Sequence, residues 1–457
     1  MSGDVQRRPL PPKRSGLPVL GSAVAFARDP YAFYDDVAAH GDVVRFSLGT
    51  VDMVGVLHPE VIESILVDGF DRFRKPDQNG GVDVLSEGLL LSDGEQWQRQ
   101  RERLQPMFYR ERIETYAETM GEYAAATADE WASADGSVDL LEATSTYTLR
   151  VLGKTLFGID TDEHRQAVRA GAEAIRERSS ESPVTLEVPD WVPTPGNRRY
   201  RRGVERLEGV VDDVLADQSE DAGGDDLLSL LVDADGSGRD GVGQDDDGPA
   251  RSEREIRSQL VTFLFAGHET SASALTWALY ELGRKPTVAA RLVDEVDAVV
   301  DGPYATLADL PELPYTGQVL RETLRRYPPA AAIFRETDEA VELGGYRVPA
   351  DTFVVLPQFH VHTDERWWDA PLEFDPSRWD DVADPPGDRP EYAYFPFGGG
   401  PRHCIGMRFA RMELKLALAT VARRYRITHD HDDVGQDVGS TVRPDETVRA
   451  TFERRER

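Results

Sequence analysis

Two periods of apolar and polar residues succeed one another along this chain, and the switches between them predict most of its elements. Residues 1–15 form a polar tail. The run Pro9, Pro11, Pro12, Gly16, Pro18, Gly21 is incompatible with helix, because each proline removes an amide donor. Tyr31–Ala39 then carries apolar residues at helical spacing. Val43–Leu48 and Val51–Leu57 alternate with period two on either side of Gly49-Thr50, which predicts a β-hairpin. From Pro59 to about Leu231 the spacing is mostly helical, broken at Gly80-Gly81, Asp135-Gly136 and Pro193–Gly196.

Asp233–Pro249 is a Gly and Asp tract with no hydrophobic period and reads as a mobile acidic loop. Asp233, Asp235, Ser237 and Gly238 open it at calcium-loop spacing. Gln244 stands where that loop needs a bidentate Glu, so no calcium site is assigned. Ser252 and Glu255 then form a capping box, and a helical pattern runs to Pro286, roughly 48 Å of helix. Leu260, Val261, Phe263, Leu264, Phe265, Leu275, Trp277 and Leu279 make it apolar nearly all round, the mark of a buried helix crossing a domain. The expectation is a mainly α fold with small β-sheets (α+β), residues 16–457 forming one domain behind the 1–15 tail.

Composition narrows the function. A net charge of −31 over 457 residues repels phosphate, which excludes a broad attraction to nucleic acid or anionic membranes. Lysine is nearly absent, leaving Arg as the cation among crowded Asp and Glu, the look of a halophile's acidic surface. The single cysteine, Cys404, excludes an internal disulfide framework and a multi-cysteine zinc site. No apolar leader and no charge-free run of about 18 apolar residues is present, so no membrane anchor is expected and a soluble, cytoplasmic protein is.

Four clusters carry candidate chemistry. Gly267, His268, Glu269 and Thr270 interrupt the buried helix with polar groups. They read either as outward-facing residues with a back-bonded threonine, or as an acid and an alcohol relaying protons where Gly267 admits a ligand. Phe397-Gly-Gly-Gly400-Pro-Arg402-His-Cys404-Ile-Gly406 precedes an apolar helical run from Arg408 to about Ala422, so Cys404 faces backbone N–H donors and a positive helix end that favour thiolate. Glu322 and Arg325 are an i, i+3 pair just before Tyr327-Pro328-Pro329, with Pro376-Ser-Arg378-Trp379 downstream. Trp97 and Arg101 share a face of a helix that Ser92 and Glu95 are expected to cap.

The cysteine segment resembles the cytochrome P-450 signature of Phe, two residues, Gly, one residue, Arg, one residue, Cys, one residue, Gly, at every fixed position. The other three clusters resemble the family's motifs in the family's order, over nearly the whole chain. The resemblance implies a haem-thiolate monooxygenase with haem b, Cys404 as the axial thiolate on iron, and Glu269 and Thr270 delivering protons. Trp97, Arg101, Arg335 and Arg402 would bind the haem propionates, with Ala266, Gly267, Phe397, Gly398 and Gly406 along the cofactor. Glu322, Arg325 and Arg378 would form a structural ion-pair network under the cysteine loop.

The same resemblance implies dioxygen and a hydrophobic small-molecule substrate, with Phe263, Phe265, Ala266, Ala331, Ile333 and Phe334 as candidate pocket residues. Electrons would come from a ferredoxin with its reductase, since no Gly-x-Gly-x-x-Gly unit or cysteine cluster occurs. Arg99, Arg103, Arg110, Arg408 and Arg411 could form its dock or be tied up in intramolecular pairs. A peroxide-driven oxygenase or isomerase of the same fold, and a non-catalytic haem sensor, stand as alternatives.

Overall fold

Asp29 starts the first predicted helix, Pro30–Ala38: its carboxylate accepts the Ala32 N–H, and Pro30 fits a first turn that needs no amide donor. Phe33, Tyr34 and Val37 form its buried face and pack on Phe46 of the hairpin and on Phe359 in the short helix Gln358–Val361. This computed structural model describes residues 5–76, 82–181, 192–218, 249–380 and 384–456. The expected acidic loop Asp233–Pro249, its calcium-like spacing and the Gly80-Gly81 break lie essentially outside those residues, as does the end of the helical stretch at 219–231.

The hairpin forms as predicted, β1 (Val43–Leu48) against β2 (Val51–Val56), with Val43 opposite Val56 and Gly49 at φ +59° in the turn. The other strands are β3 (Phe73–Arg74), β4 (Val138–Asp139), β5 (Ala332–Thr337), β6 (Val341–Leu343), β7 (Tyr346–Val348), β8 (Phe353–Pro357), β9 (Tyr425–Thr428), β10 (Gln436–Val438), β11 (Val442–Pro444) and β12 (Arg449–Arg454). The main sheet runs β1-β2-β8-β5-β3, with three smaller sheets, β4-β12-β9, β6-β7 and β10-β11. Arg335 pairs with Val354 across β5-β8, and Arg74 with Glu336 across β5-β3, so this register sets Lys75 close to Arg335.

The central helix spans Pro249–Arg284, about 54 Å. Ser252 therefore lies inside it, and the expected capping box does not mark its start. Its buried length packs against the helix Leu140–Leu156, where Thr144 Oγ1 meets Thr276 Oγ1 at 2.8 Å and Thr148 Oγ1 donates to the His268 carbonyl at 3.0 Å. Small residues at the crossing let the backbones approach. A methyl group on Gly267 would come within 2.9 Å of Leu152 Cδ1, so the missing side chain also makes room for Leu152 at this helix crossing.

Glu322 and Arg325, on the helix Pro314–Arg326 that packs against the Pro376–Trp379 turn, have no exposed side-chain surface. Arg325 Nε and Nη2 grip Glu322 at 2.9 and 2.8 Å, and Arg378 Nε, Trp379 Nε1 and the Asp375 N–H also donate to Glu322. The expected network is thus present as geometry, every carboxylate lone pair finding a donor. Replacing Arg325 by Leu leaves Glu322 buried and poorly compensated. A loss of about 3–5 kcal/mol is expected in denaturant unfolding, with a smaller loss when Glu322→Gln accompanies it.

Candidate functional site

The cysteine loop hangs from this network. Arg325 Nη1 donates to the His362 carbonyl at 2.8 Å, the His362 ring accepts the Phe395 N–H at 2.9 Å, and Tyr394 packs on Trp379. Burial and Arg325 push the His362 imidazole down to about 3, which keeps it neutral and able to accept. From Phe397 the chain turns on Gly398 at φ +71° and Gly400 at φ +61°. The Cys404 N–H donates to the Phe397 carbonyl at 2.8 Å, and the helix Met407–Arg424 follows Gly406.

Cys404 is solvent-accessible, although burial within the protein mass is the largest influence on its thiol. The side chain therefore looks into an internal cleft. The Gly406 N–H and Arg101 draw the thiol pKa down, but burial outweighs them and holds it above its usual value. The expected preference for thiolate needs a further positive charge at sulfur, which a metal ion supplies.

Asp93, not Ser92, caps the Trp97 helix (Gly94–Leu104): its carboxylate accepts the Gly94 N–H, while Ser92 Oγ donates to Gln100. Trp97 is buried beneath the Arg402 guanidinium, 4.3 Å from its ring centre. Arg402 donates to the Ser92 carbonyl at 3.0 Å and pairs with Asp93. Arg101 is committed to the loop itself, donating to the His403 carbonyl at 2.9 Å with the His403 ring 3.1 Å away.

Lys75, which the sequence reading did not single out, joins the group. Its backbone N–H donates to Asp93 at 2.7 Å, and burial together with Arg335 and Arg402 pushes its ammonium down to about 7. Burial and Arg402 likewise lower Arg335, to about 10. Lys75, Arg335 and Arg402 thus crowd a single carboxylate, an arrangement that suits a ligand bringing anionic oxygens. A scarce Lys directly after a strand was the available signal, but only the β3–β5 pairing connects it to Arg335. Thiol ligand, aromatic wall and surplus cations fit a haem with its two carboxylates.

In the central helix Thr270 is half-buried, and its hydroxyl back-bonds to the Ala266 carbonyl at 2.7 Å. Burial pushes His268 down to about 4, and its ring is bonded to the Leu264 carbonyl. Glu269 is 3% exposed, and its Oε1 lies 2.7 Å from Nη2 of Arg443 on β11. Burial raises its carboxyl pKa, and Arg443, Thr441 and Arg176 partly offset that. The pairing to Arg443 could not be read from spacing. Phe263, Phe265 and Ala331 are buried, Ala266 and Ile333 half-buried, and Phe334 is 43% exposed. Of the arginines considered for docking, Arg110 pairs with Glu114 and Arg411 with Asp384; Arg103 is half-buried, and Arg99 and Arg408 are exposed.

The sequence profile of the family described as cytochrome P-450 matches residues 10–449. The chain is 37% identical to cyclooctatin synthase of Streptomyces melanosporofaciens, over 90% of this chain and 88% of that protein. It is 35% identical to cyclooctat-9-en-7-ol 5-monooxygenase of the same organism, over 90% and 88%. It is 34% identical to pentalenene oxygenase of Streptomyces avermitilis, over 91% of each. No helix among the described residues is long and apolar enough to cross a membrane.

The loop's tightest point yields a test. A Cβ on Gly400 would sit 1.8 Å from the Leu66 carbonyl oxygen at a positive φ. Gly400→Ala should therefore cost more than about 2 kcal/mol, read as a lowered denaturation midpoint.

Proposed function

The chain belongs to the cytochrome P-450 family and is a haem b monooxygenase of hydrophobic small molecules; from that premise we propose a role for each residue of its site and a substrate class. Cys404 is the iron ligand, its cleft-facing sulfur held by the Phe397–Cys404 turn. When bound, the haem activates dioxygen so that one oxygen atom enters the substrate, with electrons from a redox partner. Arg335, Arg402 and Lys75 hold the propionates. Arg101 fixes the loop at His403 and lends positive potential to the sulfur, and Trp97 carries Arg402 on its face.

Thr270 and Glu269 supply protons. The threonine is held by Ala266 with its hydroxyl oxygen free to accept, and Glu269 is a buried acid one residue away. Phe263 with Phe108 stacked on it at 5.8 Å, Phe265, Ala331, Ile333 and Phe334 furnish an apolar wall. That wall suits a terpenoid hydrocarbon or alcohol, the chemistry in the names of the Streptomyces relatives. A ferredoxin is the electron donor, docking at the exposed Arg99 and Arg408. Residues 16–457 act as one domain of a cytoplasmic enzyme, and the acidic, lysine-poor composition belongs to a halophilic host.

The observation that carries this reading is the accessible Cys404 beside three cations sharing one carboxylate. Reduced with dithionite under carbon monoxide, the purified protein is expected to give the strongly red-shifted Soret band of thiolate ligation. Cys404→Ala should abolish it, and an imidazole-type band in both proteins would overturn the assignment.

The host reading is tested by salt. Screening of the −31 net charge predicts a melting temperature that rises from roughly 0.1 M to 1 M KCl, where the screening length has shrunk to about 3 Å. A flat or falling profile removes the halophile proposal.

A further inference from the structure

We infer that Arg443 is the positioning residue of Glu269, clamping its carboxylate with a guanidinium that is shared with Glu173 on the helix Arg165–Glu181. The inference rests on the proton-supply reading of Glu269 and extends it to what controls that acid.

The observation is a chain of alternating charges across four elements. Glu269 Oε1 on the central helix lies 2.7 Å from Arg443 Nη2 on β11. Arg443 Nη1 lies 2.6 Å from Glu173 Oε2, and Glu173 Oε1 lies 2.9 Å from Arg176 Nη2. Arg176 Nη1 ends the chain 2.9 Å from Asp437 on β10. Glu269 is the deepest member at 3% exposure, whereas the Glu173 side chain is 39% exposed. One guanidinium therefore faces both a buried and a half-exposed carboxylate, and the negative charge of Glu173 opposes the ionisation that Arg443 favours at Glu269.

Position matters as much as charge. Successive side chains on a helix point roughly 100° apart, so a Glu269 carboxylate held toward the β10-β11 hairpin is turned away from its neighbour Thr270. To pass a proton toward Thr270 the carboxyl must take one up and leave Arg443. The strength of the clamp thus sets both the fraction of Glu269 that is protonated and its reach.

The groups facing Glu269 are few. From β11 comes Arg443; from the helix Arg165–Glu181, Glu173 and Arg176; and from the hairpin turn, the Thr441 hydroxyl. On its own helix His268 is bonded to the Leu264 carbonyl. From Leu140–Leu156, Thr144 and Thr148 are spent on the Ala272 and His268 carbonyls, and from Met407–Arg424 the buried Glu413 meets Ser271 instead. Arg443 is thus the nearest cation, and Glu173 its rival claimant.

Two substitutions then act in opposite directions. Arg443→Gln removes the cation and stabilises the neutral acid. Glu173→Gln removes the negative charge that opposes ionisation, leaves Arg443 with Glu269 as its remaining acidic partner of the pair, and stabilises the carboxylate. The test is an infrared pH titration of the Glu269 carboxyl stretch in the holoenzyme, isolated as the difference from Glu269→Gln. The midpoint is expected to rise by roughly one to three pH units in Arg443→Gln and to fall in Glu173→Gln. Arg443→Lys should return it toward the wild type, which guards against a folding defect. Shifts in the same direction, or no shift in a folded Arg443→Gln protein, overturn the inference.

Oxygen consumption with a surrogate ferredoxin and its reductase separates this from the reading beneath it. The rate should fall at high pH as Glu269 ionises, and this limb should follow the infrared midpoint in each variant. If Glu269→Gln leaves the limb in place, the proton-supply reading fails, while the infrared shifts still decide what Arg443 does.

Discussion

The buried Glu322 carboxylate is the constraint on which the cysteine loop depends. It gathers Arg325, Arg378, the Trp379 indole and the Asp375 amide, so one charged atom group ties a helix to the 375–379 turn. Arg325 carries the tie onward through the His362 carbonyl, and the His362 ring reaches Phe395, two residues before Phe397. A loop rich in glycine has high entropy to lose on ordering, and a fully satisfied polar network at its stem offsets part of that loss. Its role is scaffolding, and it keeps Cys404 in a fixed place relative to the central helix.

Charge is distributed with the same economy. The surface is overwhelmingly acidic, yet the positive groups that matter lie inside. Arg335 comes from β5 and Lys75 from the residue after its partner strand β3, Arg402 from the cysteine loop and Arg101 from the Trp97 helix. Burial depresses the pKa values of Lys75 and Arg335, the sign of cations short of counter-charge. At Glu269 the imbalance is reversed, an acid held by a borrowed guanidinium. The two sites sit on different elements of the fold, and each is completed by residues far away in sequence.

The hairpin, the buried central helix, the cysteine segment and the Glu322 network were legible because each writes a local signature. A period of two, an all-round apolar run, glycines at turn positions and an i, i+3 pair are properties of neighbouring residues. Local reading erred where two local solutions compete. Ser252 with Glu255 is a sound capping box, but the helix starts before it. Ser92 with Glu95 is another, but Asp93 takes the cap and frees Ser92 for Gln100.

The sequence by itself determined the family, the glycine-bounded turn around the single cysteine and the helical body, because those rest on residue order and short-range spacing. Tertiary structure alone decided that Lys75 stands with Arg335 and that Glu269 answers to Arg443 and, through it, to Glu173. Such pairings span up to roughly half the chain or more. Strand register and helix packing set them, and no period in the sequence encodes which distant charge will be left facing which.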